Sequence, residues 1–160
     1  MAGFEIFEMP AGQGRLALSP LVGRNGTYDA DVAAVLAWRP ALVVTLVEGH
    51  ELALHGATAF GSLIAAQGAQ WDHRPVKDFD TPDPQDALQW AAYIDGVAAR
   101  LIAGERVLVH CLGGCGRSGM VVLRTLVALG EPADQALARL RARRPCAIET
   151  DKQMLWATSA

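Results

Sequence analysis

The chain has 160 residues, of which 51% are hydrophobic and 19% are charged, and its formal net charge is −3. This length suits one domain with its own core, so we expect residues 1–160 to form a single domain. The small negative charge gives no indication of a nucleic-acid partner. No apolar run approaches the length of a bilayer span, and the N-terminus lacks a basic flank followed by an apolar core. We therefore expect no membrane partner and a cytoplasmic location.

Predicted strands and helices alternate along the chain. β-branched and apolar runs predict strands at Phe4–Phe7, Arg15–Leu18, Leu42–Val47, Gln70–Arg74 and Arg106–His110. Apolar periodicity bounded by proline and glycine predicts helices at Asp29–Trp38, Ala57–Gln67, Pro84–Ala103, Arg117–Leu129, Pro132–Arg143 and from about Asp151 onward. This order predicts an α/β fold with a central mixed, mostly parallel sheet flanked by helices on both faces.

The stretch HCLGGCGRSG, residues 110–119, lies between the last predicted strand and an apolar helix. Such a position suits an anion, because unpaired amide groups and the positive end of the helix dipole face the loop. A dinucleotide-binding loop needs an acidic residue at the end of a second strand about 20 residues later, and a helix is predicted there. A nucleoside triphosphate loop needs a lysine where Arg117 stands. Both interpretations therefore fit poorly.

A third interpretation accounts for Cys111 and Arg117, which are separated by five residues. A loop of this length can direct its amides at one tetrahedral dianion, with the cysteine sulfur beneath and the guanidinium alongside. The same amides favour an anionic sulfur, so we expect a nucleophilic thiolate at Cys111. Arg117 is expected to bind two phosphate oxygens, and Ser118 to donate a hydrogen bond to the sulfur. The phosphate-binding set is Leu112, Gly113, Gly114, Cys115, Gly116 and Arg117.

The motif resembles the H-C-x5-R-[ST] signature of the cysteine-dependent protein tyrosine and dual-specificity phosphatases. RPVKDFDTPDP resembles the general-acid loop, and AIETDKQ the water-positioning segment, of the kinase-associated (cyclin-dependent kinase inhibitor 3-like) branch. The resemblance covers roughly residues 15–157. It implies a tyrosine phosphatase-like fold, no cofactor and no metal, and a phosphorylated protein or peptide as substrate. It also allows a kinase as a partner.

The reaction needs a carboxyl group that protonates the leaving oxygen and later activates water. Asp83 is best explained as a helix N-cap and Asp86 as a first-turn acid, whereas the chemistry alone does not separate Asp78 from Asp80. The family pattern P-h-x-D, here PVKD, falls on Asp78 and assigns the role to it. The resemblance also places Gln153 near the hydrolytic water.

Several other residues near the motif have a structural and a functional interpretation. His110 is expected to be a buried hydrogen-bonding residue that supports the loop and electrostatically favours the thiolate. Glu149 stands where relatives often have glutamine, which leaves the positioning of water open. Cys115 could form a redox pair with Cys111, but we favour the interpretation in which the sulfur of Cys115 has no role. We expect the side chain of Cys146 to be packed. The arginines at 139, 141, 143 and 144 are expected to form a solvated face.

The sequence thus predicts a protein phosphatase that works through a cysteinyl-phosphate intermediate. One alternative is a phospho-residue binding module with little catalysis, which the unusual Glu149 makes conceivable. Another is a phosphoinositide phosphatase, although residues 112–116 include no basic side chain for a polyanionic headgroup.

Overall fold

The computed structural model of the protein describes residues 3–159. The strands within that range are β1 (Phe7–Ala11), β2 (Gly14–Ser19), β3 (Leu42–Thr45), β4 (Gln70–His73) and β5 (Arg106–His110). The helices are α1 (Tyr28–Trp38), α2 (Gly49–Leu54), α3 (Phe60–Ala66), α4 (Ala87–Ile102), α5 (Gly116–Ala128), α6 (Ala133–Arg143) and α7 (Asp151–Thr158). None of the helices in this range is long and apolar enough to cross a membrane.

The strands form one sheet in the order β1-β2-β5-β3-β4. The β1-β2 pair is antiparallel, and every other pair is parallel. Four consecutive β5 residues, 107–110, are buried, so both faces of the central strand are covered, as expected for a parallel sheet. The predicted α/β fold with a mixed, mostly parallel sheet is confirmed.

The register of the central strands fixes where the site lies. Ser19 of β2 and Thr45 of β3 both pair with His110, the last residue of β5. The carboxyl ends of three parallel strands therefore meet at one edge of the sheet, which is where α/β folds place their ligands. The residues that follow His110 emerge at this edge.

Two features near the ends of the sheet differ from the prediction. The first strand spans Phe7–Ala11 instead of Phe4–Phe7, because it pairs with β2 through a tight turn in which Gly12 has φ +57°. The helix predicted at Ala57–Gln67 covers only Phe60–Ala66. The sequence does not predict the separate short helix α2, whose N-cap Glu48 forms a capping box with Glu51.

The segment before α4 begins as the sequence predicts. The Asp83 side chain accepts a hydrogen bond from the Gln85 amide at 2.9 Å, which confirms its role as an N-cap. The predicted helix at Pro84–Ala103 is divided: Pro84–Asp86 form a 3₁₀ turn, and α4 follows from Ala87.

The stability of the sheet depends on the packing of its central strand. Leu108 lies in β5 and is 0% exposed, whereas Leu88 on α4 is 84% exposed. We predict that Leu108→Ala lowers the free energy of unfolding by about 2–5 kcal/mol, because it leaves a cavity in the core. The matched control Leu88→Ala should change it by less than about 0.5 kcal/mol. Urea denaturation followed by circular dichroism measures both, and equal effects would contradict this description of the core.

Candidate active site

Cys111 lies directly after β5, beneath the loop that leads into α5. Its side chain is 3% exposed, and its Sγ lies 3.2 Å from Ser118 Oγ. Ser118, in the first turn of α5, is 0% exposed. The structure thus brings together the sulfur and the hydroxyl that the motif predicts to work together.

The loop between Cys111 and Arg117 has its carbonyls bonded outward. The Leu112 carbonyl accepts from the Leu21 amide at 3.0 Å, and the Cys115 carbonyl accepts from the Ile148 amide at 3.0 Å. The carbonyls of Gly113 and Gly114 accept from the Arg144 guanidinium at 2.9 and 3.2 Å. Within residues 3–159, the amides from Leu112 to Arg117 have no acceptor. Six donors at a helix N-terminus therefore remain for an anion.

Gly114 must be glycine for the loop to take this path. Its φ is +71°, a conformation that side chains disfavour. In addition, a Cβ added there would lie 2.7 Å from both the backbone nitrogen of Pro20 and the carbonyl carbon of Ser19. The loop is therefore pressed against the segment that follows β2.

Arg117 is buried and held by a carboxylate that the sequence analysis did not single out. Its Nη1 and Nη2 donate to the two oxygens of Glu51 at 2.8 Å each, and Nη1 also donates to the Val76 carbonyl at 2.9 Å. These bonds leave Nε and the second hydrogen of Nη2 without a hydrogen-bond acceptor among the described residues. The edge they form is the one that can meet two phosphoryl oxygens in parallel.

The charges of this pair stabilise each other. Burial acts to raise the pKa of Glu51, but the hydrogen bonds from Arg117 and the Glu48 amide outweigh it and lower the pKa. Burial likewise acts to lower the pKa of Arg117, but Glu51, together with the charges of Cys111 and Asp78, raises it. Both side chains therefore stay charged inside the protein.

The structure separates the two aspartates that the chemistry leaves open. Asp78 Oδ1 lies 3.3 Å from Arg117 Nη2 and accepts the amide of Phe79, whose φ is +62°. Asp80 instead pairs with Lys152 at 2.6 Å. That hydrogen bond, with one from the Thr81 amide, lowers the pKa of Asp80. Asp78 is thus beside the arginine of the loop, and Asp80 has a partner elsewhere.

His110 is buried, but it does not supply a positive charge at neutral pH. Its Nδ1 lies 3.2 Å from the Cys111 carbonyl, which can only accept, so Nε2 accepts from Thr45 Oγ1 at 2.6 Å. Thr45 Oγ1 in turn accepts from Trp71 Nε1 at 2.7 Å. Burial lowers the pKa of His110 to about 4, against a smaller raising effect of the Cys111 carbonyl. His110 is thus a buried hydrogen-bonding residue, as expected, and electrostatic support for a thiolate does not come from a positive charge on its ring.

Gln153 is buried at the start of α7. Its Oε1 accepts the Glu149 amide at 3.0 Å, and its Nε2 donates to the Asp80 carbonyl at 3.2 Å. The side chains of Glu149 and Gln153 both pack against Gly116, where an added Cβ would collide with them. The glutamine therefore connects the loop with the segment that carries Asp78 and Asp80.

Two expectations about the remaining residues are wrong. The sulfurs of Cys115 and Cys146 form a disulfide, so the first is not without a role and the second is not simply packed. Cys111 remains a free thiol. The expected solvated face of arginines is found only in part: Arg143 is exposed and donates to the Glu8 carbonyl, whereas Arg139 pairs with Glu131, Arg141 donates to the Ala147 carbonyl, and Arg144, just after α6, donates to the loop. Sequence spacing carries no signal for these long-range partners.

Comparison with known proteins identifies the class of site. Residues 41–131, more than half of the chain, match the family described as polymorphic toxin system, DSP-PTPase phosphatase. The chain belongs to this phosphatase family. It is a protein phosphatase of the cysteine-dependent tyrosine and dual-specificity superfamily, and hence a phosphoric monoester hydrolase.

Solved structures agree with this membership. The active form of the phosphatase Tk-PTP is 31% identical and has a TM-score of 0.70, with 91% of this chain and 90% of that chain covered. Kinase associated phosphatase (KAP), with its catalytic-site cysteine changed to serine, is 22% identical and has a TM-score of 0.84, with 99% and 94% covered. DUSP15 is 16% identical, with a TM-score of 0.63 and 98% and 85% covered. The phosphatase fold therefore extends over nearly the whole chain.

The buried ion pair allows a test of the site's construction. We predict that Glu51→Gln lowers the free energy of unfolding by about 3–5 kcal/mol, because the buried Arg117 charge loses its buried partner and keeps only the more exposed Asp78 carboxylate beside it. In the control Glu105→Gln, which breaks a half-exposed pair with Arg100, the loss should be about 1 kcal/mol or less. Urea titration at neutral pH measures both losses. Similar values for the two variants would contradict a desolvated pair.

His110 predicts a pH dependence of stability. A histidine with a pKa lowered to about 4 contributes stability that is present above its ordinary pKa and is lost as the pH falls toward 4. Between pH 7.5 and 5.0 the free energy of unfolding of the wild type should fall by about 2 kcal/mol through His110, because in this range only the unfolded chain takes up the proton. In His110→Gln this part of the dependence should disappear. An unchanged pH profile in the variant would show that His110 titrates normally.

Proposed function

We propose that the protein hydrolyses phosphorylated protein side chains through a phosphocysteine intermediate on Cys111, with residues 1–160 acting as one phosphatase domain. The observation that carries this proposal is the loop itself: a buried free cysteine is followed by six amides without an acceptor and by Arg117, whose Nε/Nη2 edge is left over by its bonds to Glu51. A dianionic phosphoryl group matches that arrangement in charge and in donor number.

In the first step the Cys111 thiolate attacks phosphorus while the bond from phosphorus to the ester oxygen breaks. The amides of residues 112–117 and the Nε/Nη2 edge of Arg117 hold the three non-bridging oxygens as their charge changes. Asp78 gives its proton to the leaving oxygen, which departs as an alcohol or phenol. The products of this step are the dephosphorylated side chain and phosphocysteine.

In the second step water attacks the phosphocysteine. The Asp78 carboxylate accepts a proton from the water as the sulfur–phosphorus bond breaks, and inorganic phosphate leaves. Ser118 Oγ, 3.2 Å from the sulfur, stabilises the departing thiolate. Gln153 is the polar side chain that helps to position the water, because it lies between the loop and the Asp78 segment.

The substrate class follows from the loop and from the relatives. No basic side chain stands at 112–116, so a doubly or triply phosphorylated headgroup gains no extra charge there. A phosphorylated protein or peptide is therefore the preferred substrate. The name of kinase associated phosphatase describes that protein, and we propose a phosphorylated kinase only as one candidate substrate for this chain.

Hydrolysis of para-nitrophenyl phosphate in the presence of EDTA tests the catalytic assignment. We predict that Cys111→Ser abolishes turnover, because the nucleophile is lost. Phosphate binding should be retained, because the amides of residues 112–117 are unchanged. Asp78→Asn should lower kcat by about 10²–10⁴-fold. The control Asp80→Asn, which loses only the contact with Lys152 and the Thr81 amide, should lower it by less than about tenfold.

Normal turnover by Cys111→Ser would refute the covalent mechanism. An equal loss in the two aspartate variants would remove the assignment of Asp78. If the wild type binds phosphopeptides but does not hydrolyse them, the protein is a binding module.

A further inference from the structure

The disulfide has an unusual position, because one of its sulfurs belongs to the phosphate loop. Cys115 lies four residues after Cys111, and its partner Cys146 is 31 residues further along, just after α6. Cys115 is half-buried and Cys146 is exposed. One of the two bonded residues is therefore accessible to solvent, whereas the nearby Cys111 is buried.

The disulfide joins the loop to the segment that holds it in shape. We name residues 144–153 the bracing segment. It contributes the Arg144 guanidinium to two loop carbonyls, the Ile148 amide to a third, and Gln153 to the packing around Gly116. These contacts direct carbonyls away from the anion, which leaves the amides free to face it.

The backbone of the bracing segment is strained at the point of contact. Ile148 has φ +68°, which is rare for a β-branched residue, and its amide donates to the Cys115 carbonyl. Such a conformation persists only where the surroundings hold it. The covalent bond from Cys146, two residues away, is one of the restraints that keep this segment in place.

We propose that the Cys115–Cys146 disulfide is a redox-sensitive clamp on the phosphate loop. When the bond is formed, the loop is held ready for phosphate. When a dithiol reductant cleaves it, the bracing segment loosens, phosphate binds more weakly and catalysis slows, although Cys111 is unchanged. This inference rests on the proposed function, because it concerns the same loop.

The chemistry of the switch is ordinary thiol–disulfide exchange. A thiolate of the dithiol attacks the exposed Cys146 sulfur, the bond to Cys115 breaks, and a mixed disulfide forms. The second thiol of the reductant then displaces Cys146. Two electrons and two protons pass to the protein, which gains two thiols, and the reductant becomes a cyclic disulfide.

The test compares wild type and Cys146→Ser, each with and without dithiothreitol under anaerobic conditions. Two quantities are measured: kcat/KM for para-nitrophenyl phosphate, and the dissociation constant of inorganic phosphate by isothermal titration calorimetry, which does not depend on turnover. Alkylation with iodoacetamide followed by mass spectrometry counts the thiols, with one expected in the oxidised wild type and three in the reduced form. Circular dichroism confirms that each form is folded at the assay temperature.

We expect reduction of the wild type to lower kcat/KM about tenfold and to weaken phosphate binding by a similar factor. The reason is that a small displacement of the loop amides from their positions around the phosphoryl group weakens both binding and catalysis. Cys146→Ser should behave like the reduced wild type and should not respond to dithiothreitol. If Cys146→Ser matches the oxidised wild type, or if reduction leaves both quantities unchanged, the clamp is refuted while the phosphatase mechanism stands. If neither redox form has turnover but phosphate affinity still falls on reduction, the clamp is supported and the proposed mechanism fails.

Discussion

The buried pair of Arg117 and Glu51 fixes the geometry on which the site depends. A guanidinium that is 1% exposed needs a counter-ion, and Glu51 meets it with two parallel bonds. Because those bonds occupy one edge of the guanidinium, the other edge remains, and Asp78 lies 3.3 Å from its Nη2. The pair also links three parts of the chain: α2, the extended segment at Val76 and the first turn of α5. The orientation of Arg117 is therefore set by the fold before any phosphate arrives.

In the phosphate loop, likewise, one set of polar groups is bonded within the protein and another set is not. Its carbonyls are bonded outward to the segment after β2 and to residues 144–148, and its amides face no acceptor within residues 3–159. Unsatisfied amides near a buried sulfur are costly unless an anion or water pairs with them. Under the proposed function, a bound phosphate dianion would pair with these amides and offset that cost. Preorganised donors of this kind stabilise charge without having to move during the reaction.

The sequence predicted the parts of the site that are local in the chain. Cys111, Arg117, the glycines and the following helix lie within one short stretch, so spacing and element order were sufficient. The assignment of Asp78 required the family pattern, because Asp80 is another aspartate in the same loop. The contact that sets Asp80 apart is with Lys152, which is 72 residues away in sequence. The roles of Glu51 and Arg144 were missed because their partners, Arg117 and the carbonyl of Gly113, are 66 and 31 residues away. The disulfide was missed because Cys115 and Cys146 show no spacing typical of a cysteine framework.

The relatives show that this fold performs phosphatase chemistry, and the central claim for this chain is that phosphorus passes through the sulfur of Cys111. Rapid acid quench of the enzyme with para-nitrophenyl phosphate, followed by peptide mass spectrometry, tests it directly. A phosphoryl group is expected on the peptide that contains Cys111, formed and lost at rates compatible with turnover. Active enzyme in which that peptide never carries phosphate, or carries it on another residue, would contradict covalent catalysis by Cys111.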